Sequence, residues 1–303
     1  MQPAHQPPVL NSKINGISGP APLVEVIRGA IVESRHRGHV AAVDGEGQLV
    51  AYLGNPGTVT YLRSSAKPFQ AIPLLTSGAA DRFGFTDKEI AIVCASHNGE
   101  PIHTATVLSI LNRIGLKPEA LKCGVHEPFS AAETRNLRAR GEEPNVLHNN
   151  CSGKHAGMLA LALHLGVPTE SYDQLDNPIQ VLIRDVVARF SGVSTDDIAI
   201  GIDGCGVPVF GMSVRAMAQM YAYLVAPPKS FDEATQAACN RIVAAMIKYP
   251  EMIGGTAERL DTEMMRAAGG RLISKVGAEG VYTVGVLPCS QWPSGLGLAL
   301  KIE

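Results

Sequence analysis

Strand-forming segments stand at both ends of the chain and enclose a long helical middle, and this placement constrains the fold more than any other feature of the 303 residues. Residues 24–34, 38–44 and 48–53 are β-rich and are separated by short turns bearing Gly38, Gly45 and Gly47, the pattern of an antiparallel meander. From Ala66 to Leu165 the apolar spacing becomes helical, with segments at 87–95, 103–114 and 154–165 joined by loops rich in Gly, Pro and Asn. Asn177-Pro178 opens another helix that runs to Phe190. Residues 198–203 read as a short buried strand ending in the turn Gly204-Cys205-Gly206, followed by helices at 214–225 and 231–249. Strands return at 272–276, 281–287 and 296–302. The expected fold is therefore α/β of the α+β kind, an antiparallel sheet drawn from both chain ends with the helical middle packed beside it. Catalytic pieces from the two halves can then meet.

The length fits one large domain, 23–303, behind a proline-bearing extension, 1–22, that lacks the apolar core of a signal peptide. With 46% hydrophobic and 18% charged residues the chain is of globular composition. Its formal net charge is −2, and the densest basic run, Arg35-His36-Arg37, is too short to track phosphates, so nucleic acid is not an expected partner. The longest strongly apolar stretch, 158–165, is far below the roughly 20 residues of a membrane span. Six cysteines at 94, 123, 151, 205, 239 and 289 form no C-x-x-C pair, which suggests a reducing, cytoplasmic setting, with Cys94, Cys123, Cys239 and Cys289 as small core residues.

Ser64 and Lys67 are three residues apart, so on a helix they share a face, whereas Ser65 points elsewhere. Pro68 keeps the helix from starting much before Ser64, which leaves that hydroxyl near a helix N-terminus, where a developing alkoxide gains from the dipole. A lysine made less basic by burial can then act as the base. S-x-x-K alone is a weak motif, but Ser96-His97-Asn98 follows it and Lys275-Val276-Gly277 comes late on an expected strand. That order resembles the S-x-x-K, S-D-N, K-T-G series of penicillin-recognising acyl-serine enzymes. The run His148 to His155 gathers Cys151, Lys154 and His155 just before an apolar helix. It reads either as a helix cap formed by Asn150 or Ser152 or as a loop presenting reactive groups to a pocket. Asp203, at a strand end beside Gly204, reads either as a turn aspartate or as a ligand for a substrate amino group.

The runs Arg63 to Gln70, Ala95 to Glu100, His148 to Met158, Asp203 to Pro208 and Lys275 to Val281 together resemble the asparaginase II family, the rhizobial-type L-asparaginases. The resemblance spans about residues 23–302. It implies a serine β-lactamase/glutaminase-like fold, a homodimer, and hydrolysis of L-asparagine to aspartate and ammonia. The family's serine-lysine pairs fall on Ser64 with Lys67 and on Ser96 with Lys275. Its zinc ligands fall on Cys151, Lys154 and Cys205, a set in which lysine must be neutral to donate. Arg63, His155 and Asp203 match positions near the family's substrate site, with Arg63 suited to an α-carboxylate and Asp203 to an α-ammonium. Relatives usually continue beyond Glu303, so a shortened C-terminus is expected.

The sequence thus points to an L-asparagine amidohydrolase in which Ser64 attacks, Lys67 takes its proton, and Ser96 with Lys275 relays it to leaving ammonia. The rivals are a penicillin-recognising acyl-serine enzyme, against which His97 replaces the aspartate of that class, and a non-catalytic amide- or metal-binding protein.

Overall fold

The computed structural model describes residues 19–303. The expected N-terminal extension lies outside the described residues up to residue 18, and Ala21 already opens a strand. The strands are β1 (Ala21–Arg28), β2 (Ile31–Asp44), β3 (Leu49–Leu53), β4 (Val59–Tyr61), β5 (Ala199–Ile202), β6 (Pro208–Ser213), β7 (Leu272–Val276), β8 (Val281–Val286) and β9 (Leu296–Ile302). The larger sheet runs β1-β2-β9-β8-β7, with β3 also paired to β2, and every pairing is antiparallel. Val40 faces Leu300 and Thr283 faces Ala299, so the two ends of the chain are joined in one sheet, as expected.

One expected turn is absent. Gly38 lies inside β2, and the reversal comes instead at Gly29, whose φ is +60°. Gly38 serves close strand approach, since a Cβ there would lie 2.2 Å from the Lys301 carbonyl oxygen. A second sheet of order β4-β6-β5 was only partly foreseen, and β5 is half-buried to exposed rather than buried because it forms an edge. Cys94, Cys123 and Cys239 are buried, whereas Cys289 is exposed and is no core residue.

The helices of seven or more residues are α1 (Asp87–Val93), α2 (Pro101–Arg113), α3 (Ala131–Arg140), α4 (Ser152–Leu165), α5 (Pro178–Ser191), α6 (Val214–Val225), α7 (Glu233–Lys248) and α8 (Leu260–Ala268). Their ends follow the local chemistry: Thr86 and Glu89 form a capping box on α1, and Asn177 with Pro178 starts α5. Helix α6 lies on β2, β8 and β9, and α8 packs on β7. Gly297 permits the first contact, because a Cβ there would fall 1.9 Å from the Ala218 carbonyl oxygen. Helix α4 is buried from Ser152 to Ala162, which explains its apolar character all round. It presses against α1 at Gly153, where a Cβ would meet the Ile92 carbonyl oxygen at 2.3 Å. The segment after β4, the segment after α1, the start of α4, the β5–β6 turn and the end of β7 therefore converge.

Candidate active site

Those five segments surround a cavity of about 810 Å³ lined by Arg63, Ser64, Ser96, Cys151, Asp203 and Cys205 among others. Lys67, Lys154, His155 and Lys275 are buried behind its wall. All ten residues singled out in the sequence thus gather around one space.

The Leu62 amide bonds to Phe210 on β6, and the chain then turns through Arg63 at φ +51°. A 3-10 turn, Arg63–Ala66, leads into a one-turn α-helix, Lys67–Gln70, with Pro68 in its first turn. The helix restarts at Ile72–Thr76 with Pro73 again near its start. Among the described residues, Arg63, Glu258 and Glu279 are the non-glycines with positive φ. Arg63 and Glu258 line the cavity, and Glu279 approaches Arg63 at 3.8 Å, so the left-handed non-glycine residues cluster at this site.

Ser64 faces the cavity, whereas Ser65 is buried and donates to the Lys275 carbonyl at 3.3 Å. Lys67 Nζ donates to Ser96 Oγ at 2.9 Å, to the Ala95 carbonyl at 2.5 Å and to the Asn150 carbonyl at 3.2 Å. Burial lowers its pKa, and the Cys151 sulfur partly opposes that shift. Neither expected serine-lysine pair forms a direct hydrogen bond: Lys67 bonds Ser96 and not Ser64, while Lys275 Nζ donates to the Val276 carbonyl at 3.0 Å and lies 3.6 Å from Asp261. Burial lowers the Lys275 pKa to about 7.

The segment carrying Ser96 is held by histidine. His97 Nδ1 accepts from the Gly99 amide at 3.1 Å, so Nε2 carries the ring proton and donates to Ser152 Oγ at 2.9 Å, which donates in turn to the Leu147 carbonyl. His97 stacks on His103, whose Nδ1 accepts from the Glu100 amide. Neither Asn150 nor Ser152 caps α4; Asn149 Oδ1 takes the Cys151 amide instead, at 2.8 Å.

Lys154 Nζ donates to Cys205 Sγ at 3.0 Å, and Cys205 in turn meets Cys151. The hydrogen bond from Cys205, together with Lys67 and Lys154, holds the Cys151 thiol well below its usual range despite burial. Cys205 is pushed the other way by the same hydrogen bond and by its burial. Burial works against the Lys154 ammonium, but the two sulfurs outweigh it and raise its pKa. Among the described residues no group of three His, Cys, Asp or Glu is placed to hold a metal ion. The two sulfurs offer the soft donors that zinc prefers, and Lys154 fits as a third ligand only by shedding its proton.

Arg63 Nε bonds Asp203 Oδ1 at 2.8 Å, and Lys154 and Arg63 keep that carboxylate ionised against its burial. His155 sits deeper. Its Nδ1 meets the Tyr172 hydroxyl at 2.6 Å, and its Nε2, without a hydrogen bond of normal geometry, faces Cys205. Burial lowers its pKa to about 4. Tyr172 and Asp261 escaped the sequence reading, since neither stands in a recognisable motif and only the fold brings them here; Asn149 lies in the run from His148, with no role expected of it.

The family model described as L-asparaginase II matches residues 24–303. The chain belongs to the L-asparaginase II family. Membership places it among the amidohydrolases. No curated protein matches the chain. Among solved structures, this family member is similar to a probable glutaminase from Bacillus subtilis complexed with 6-diazo-5-oxo-L-norleucine. That similarity is 13% identity over 87% of this chain and 76% of the other, at a TM-score of 0.39. It is also similar to Mglu in its native form, at 15% identity over 88% of this chain and 58% of that one, with a TM-score of 0.44. No helix among the described residues is long and apolar enough to cross a membrane.

Proposed function

We propose that this L-asparaginase II family member hydrolyses the side-chain amide of L-asparagine with Ser64 as nucleophile. The observation that carries the reading is that Ser64 and Ser96 line one cavity, with the buried Lys67 bonded to Ser96. The Arg63–Asp203 pair on the same wall offers opposite charges for the α-carboxylate and α-ammonium of an amino acid. In its neutral form, which burial favours, Lys67 takes the Ser64 proton as Oγ attacks the amide carbon. The carbon–nitrogen bond breaks, and the proton passes from Lys67 through Ser96 to the departing nitrogen, which leaves as ammonia. Water then cleaves the acyl-serine ester, releasing aspartate and restoring the hydroxyl. Cys151, Lys154 and Cys205 would hold zinc, which would tie their loops together beside the substrate site; nucleophile and base come from serine and lysine.

Ammonia release measured across asparagine, glutamine and small amides tests the reading. Turnover should be highest with asparagine, although one methylene discriminates by only about 1–3 kcal/mol. Binding of asparagine by calorimetry without ammonia release from any amide would make the protein a sensor. Nitrocefin hydrolysis would return the penicillin-recognising alternative, which the buried structural role of His97 disfavours.

A further inference from the structure

Behind the cavity lies a second buried charge cluster, built on Lys275, whose carboxylate the reaction above does not use. Asp261, the second residue of α8, is 1% exposed, and neither carboxylate oxygen has a hydrogen bond of normal geometry, although the Tyr282 hydroxyl on β8 approaches it. Lys275, on β7, is 0% exposed and has one hydrogen bond, to the next residue's carbonyl. Lys275 Nζ and Asp261 Oδ2 are 3.6 Å apart. Arg259 is the other nearby cation, 4.0 Å from the same oxygen, but its guanidinium is already held by Asn98 at 2.6 Å and by the Gly254 carbonyl. A dry, unbonded carboxylate costs several kcal/mol unless a charge compensates it, and the same holds for a dry ammonium. Each group is therefore the main compensation of the other. The residues that follow Lys275, Val276 and Gly277, line the cavity, so the strand that carries Lys275 runs directly into its wall.

We propose that Asp261 is the positioning residue of Lys275, holding its side chain as an ammonium at the back of the cavity for the proton transfers of amide hydrolysis. The inference rests on the functional reading above. The charged and titratable groups facing Lys275 are Asp261 and Arg259 at the start of α8, Lys67 from the short helix after Arg63, Cys151 at the start of α4 and Cys94 at the end of α1. Burial, Lys67 and Arg259 all favour the neutral amine, and Asp261 is the chief opposing influence. Removing the carboxylate charge thus lowers the Lys275 pKa. A step that needs the ammonium is lost as pH rises through that pKa, so its alkaline limit moves to lower pH.

The test compares kcat and KM against pH for the full chain and for Asp261→Asn, Asp261→Glu, Lys275→Met and the double variant Asp261→Asn/Lys275→Met. Asp261→Asn should lower kcat about 10- to 100-fold near neutral pH with KM little changed, and move the alkaline limb down by about one unit or more. Asp261→Glu keeps the charge and should leave the limb in place; this variant decides the matter if Asp261→Asn does not fold. In the Lys275→Met background, Asp261→Asn should cost nothing further. An unmoved limb in Asp261→Asn, a limb displaced by Asp261→Glu, or an additional loss in the double variant overturns the proposal. The Lys275 ¹³Cε resonance of lysine-labelled protein, followed against pH, reads the pairing without catalysis. If the unaltered chain releases no ammonia the functional reading fails, while identical Lys275 titrations in the unaltered chain and Asp261→Asn would refute the pairing itself.

Discussion

Lys67 Nζ donates to Ser96 Oγ at 2.9 Å from a side chain that is 1% exposed, and its two remaining donors are taken by the carbonyls of Ala95 and Asn150. The two carbonyls need only two N–H donors, and the Ser96 hydroxyl can take a proton from the amine or give one to it, so the same geometry serves Lys67 both as the neutral base and as the ammonium. Ser96 is the one partner of the three that can carry a proton onward, since a hydroxyl both accepts and donates while a carbonyl only accepts. The hydrogen bond therefore marks a route for the proton between Lys67 and the cavity.

Ser96→Ala removes that route. We expect kcat for asparagine to fall by about 10²- to 10⁴-fold, the range of a lost general acid or base, with KM changed much less. Steady-state ammonia release checks this. A variant with unchanged kcat would mean that the proton leaves Lys67 another way.

Ser64→Ala and Ser65→Ala separate the two adjacent hydroxyls. Ser64 faces the cavity, and its removal should abolish turnover while the protein still folds. Ser65 is buried and donates to the Lys275 carbonyl, so its loss should cost about 1 kcal/mol of stability and leave most of the activity. Comparable activity in the two variants would place the nucleophile elsewhere.

Much of this was legible in the residues because it depends on local pattern. Helix α6 and β9 are observed at the residues expected, β8 within one residue, and Asn177-Pro178 caps α5 because that dipeptide is made for a helix start. Sequence spacing also separates the outward Ser64 from the inward Ser65. What it misjudges is long-range. Ser96 bonds Lys67 rather than Lys275 because the segment after α1 comes down beside the Lys67 helix, a contact between residues 29 apart. Asp261 gave no signal, because the short helix that buries it, α8, is itself not among the expected elements. Gly38 misled because glycine serves turns and close strand contacts alike.

The histidines behind the site should make the fold acid-sensitive. Burial lowers the pKa of His97 well below the usual 6.5, and burial lowers His103 as well. Folded values below unfolded ones mean that the unfolded chain binds more protons in the interval between them, so stability falls as pH drops from 6.5 toward the folded values. Each pH unit spanned by one such group is worth about 1.4 kcal/mol. The urea midpoint should therefore be lower at pH 5.5 than at pH 7.5, and His97→Asn, which keeps hydrogen-bonding capacity without titrating, should reduce the difference. Equal midpoints at the two pH values would show that these rings titrate normally.

The sulfur pair carries the last prediction. Cys151 and Cys205 come from segments far apart in sequence, yet they meet at the cavity wall with Lys154 Nζ 3.0 Å from Cys205. Without metal, Lys154 is an ammonium and the pair of sulfurs holds a negative charge, an arrangement that is self-compensating and leaves the site folded. Zinc in its place would exchange those protons for metal bonds, so the protein as purified should contain roughly one zinc per chain by elemental analysis. Serine and lysine already supply nucleophile and base, so the metal would act by fixing the loops and orienting substrate. Removal of zinc by a chelator, or Cys151→Ala, should then raise KM for asparagine and leave measurable turnover at saturating substrate. Metal-free protein with full activity would sink the zinc site. Complete inactivity of folded, chelated protein would instead assign the metal a direct part in the chemistry, because the charge compensation between Lys154 and the sulfurs preserves the wall of the cavity when zinc is gone.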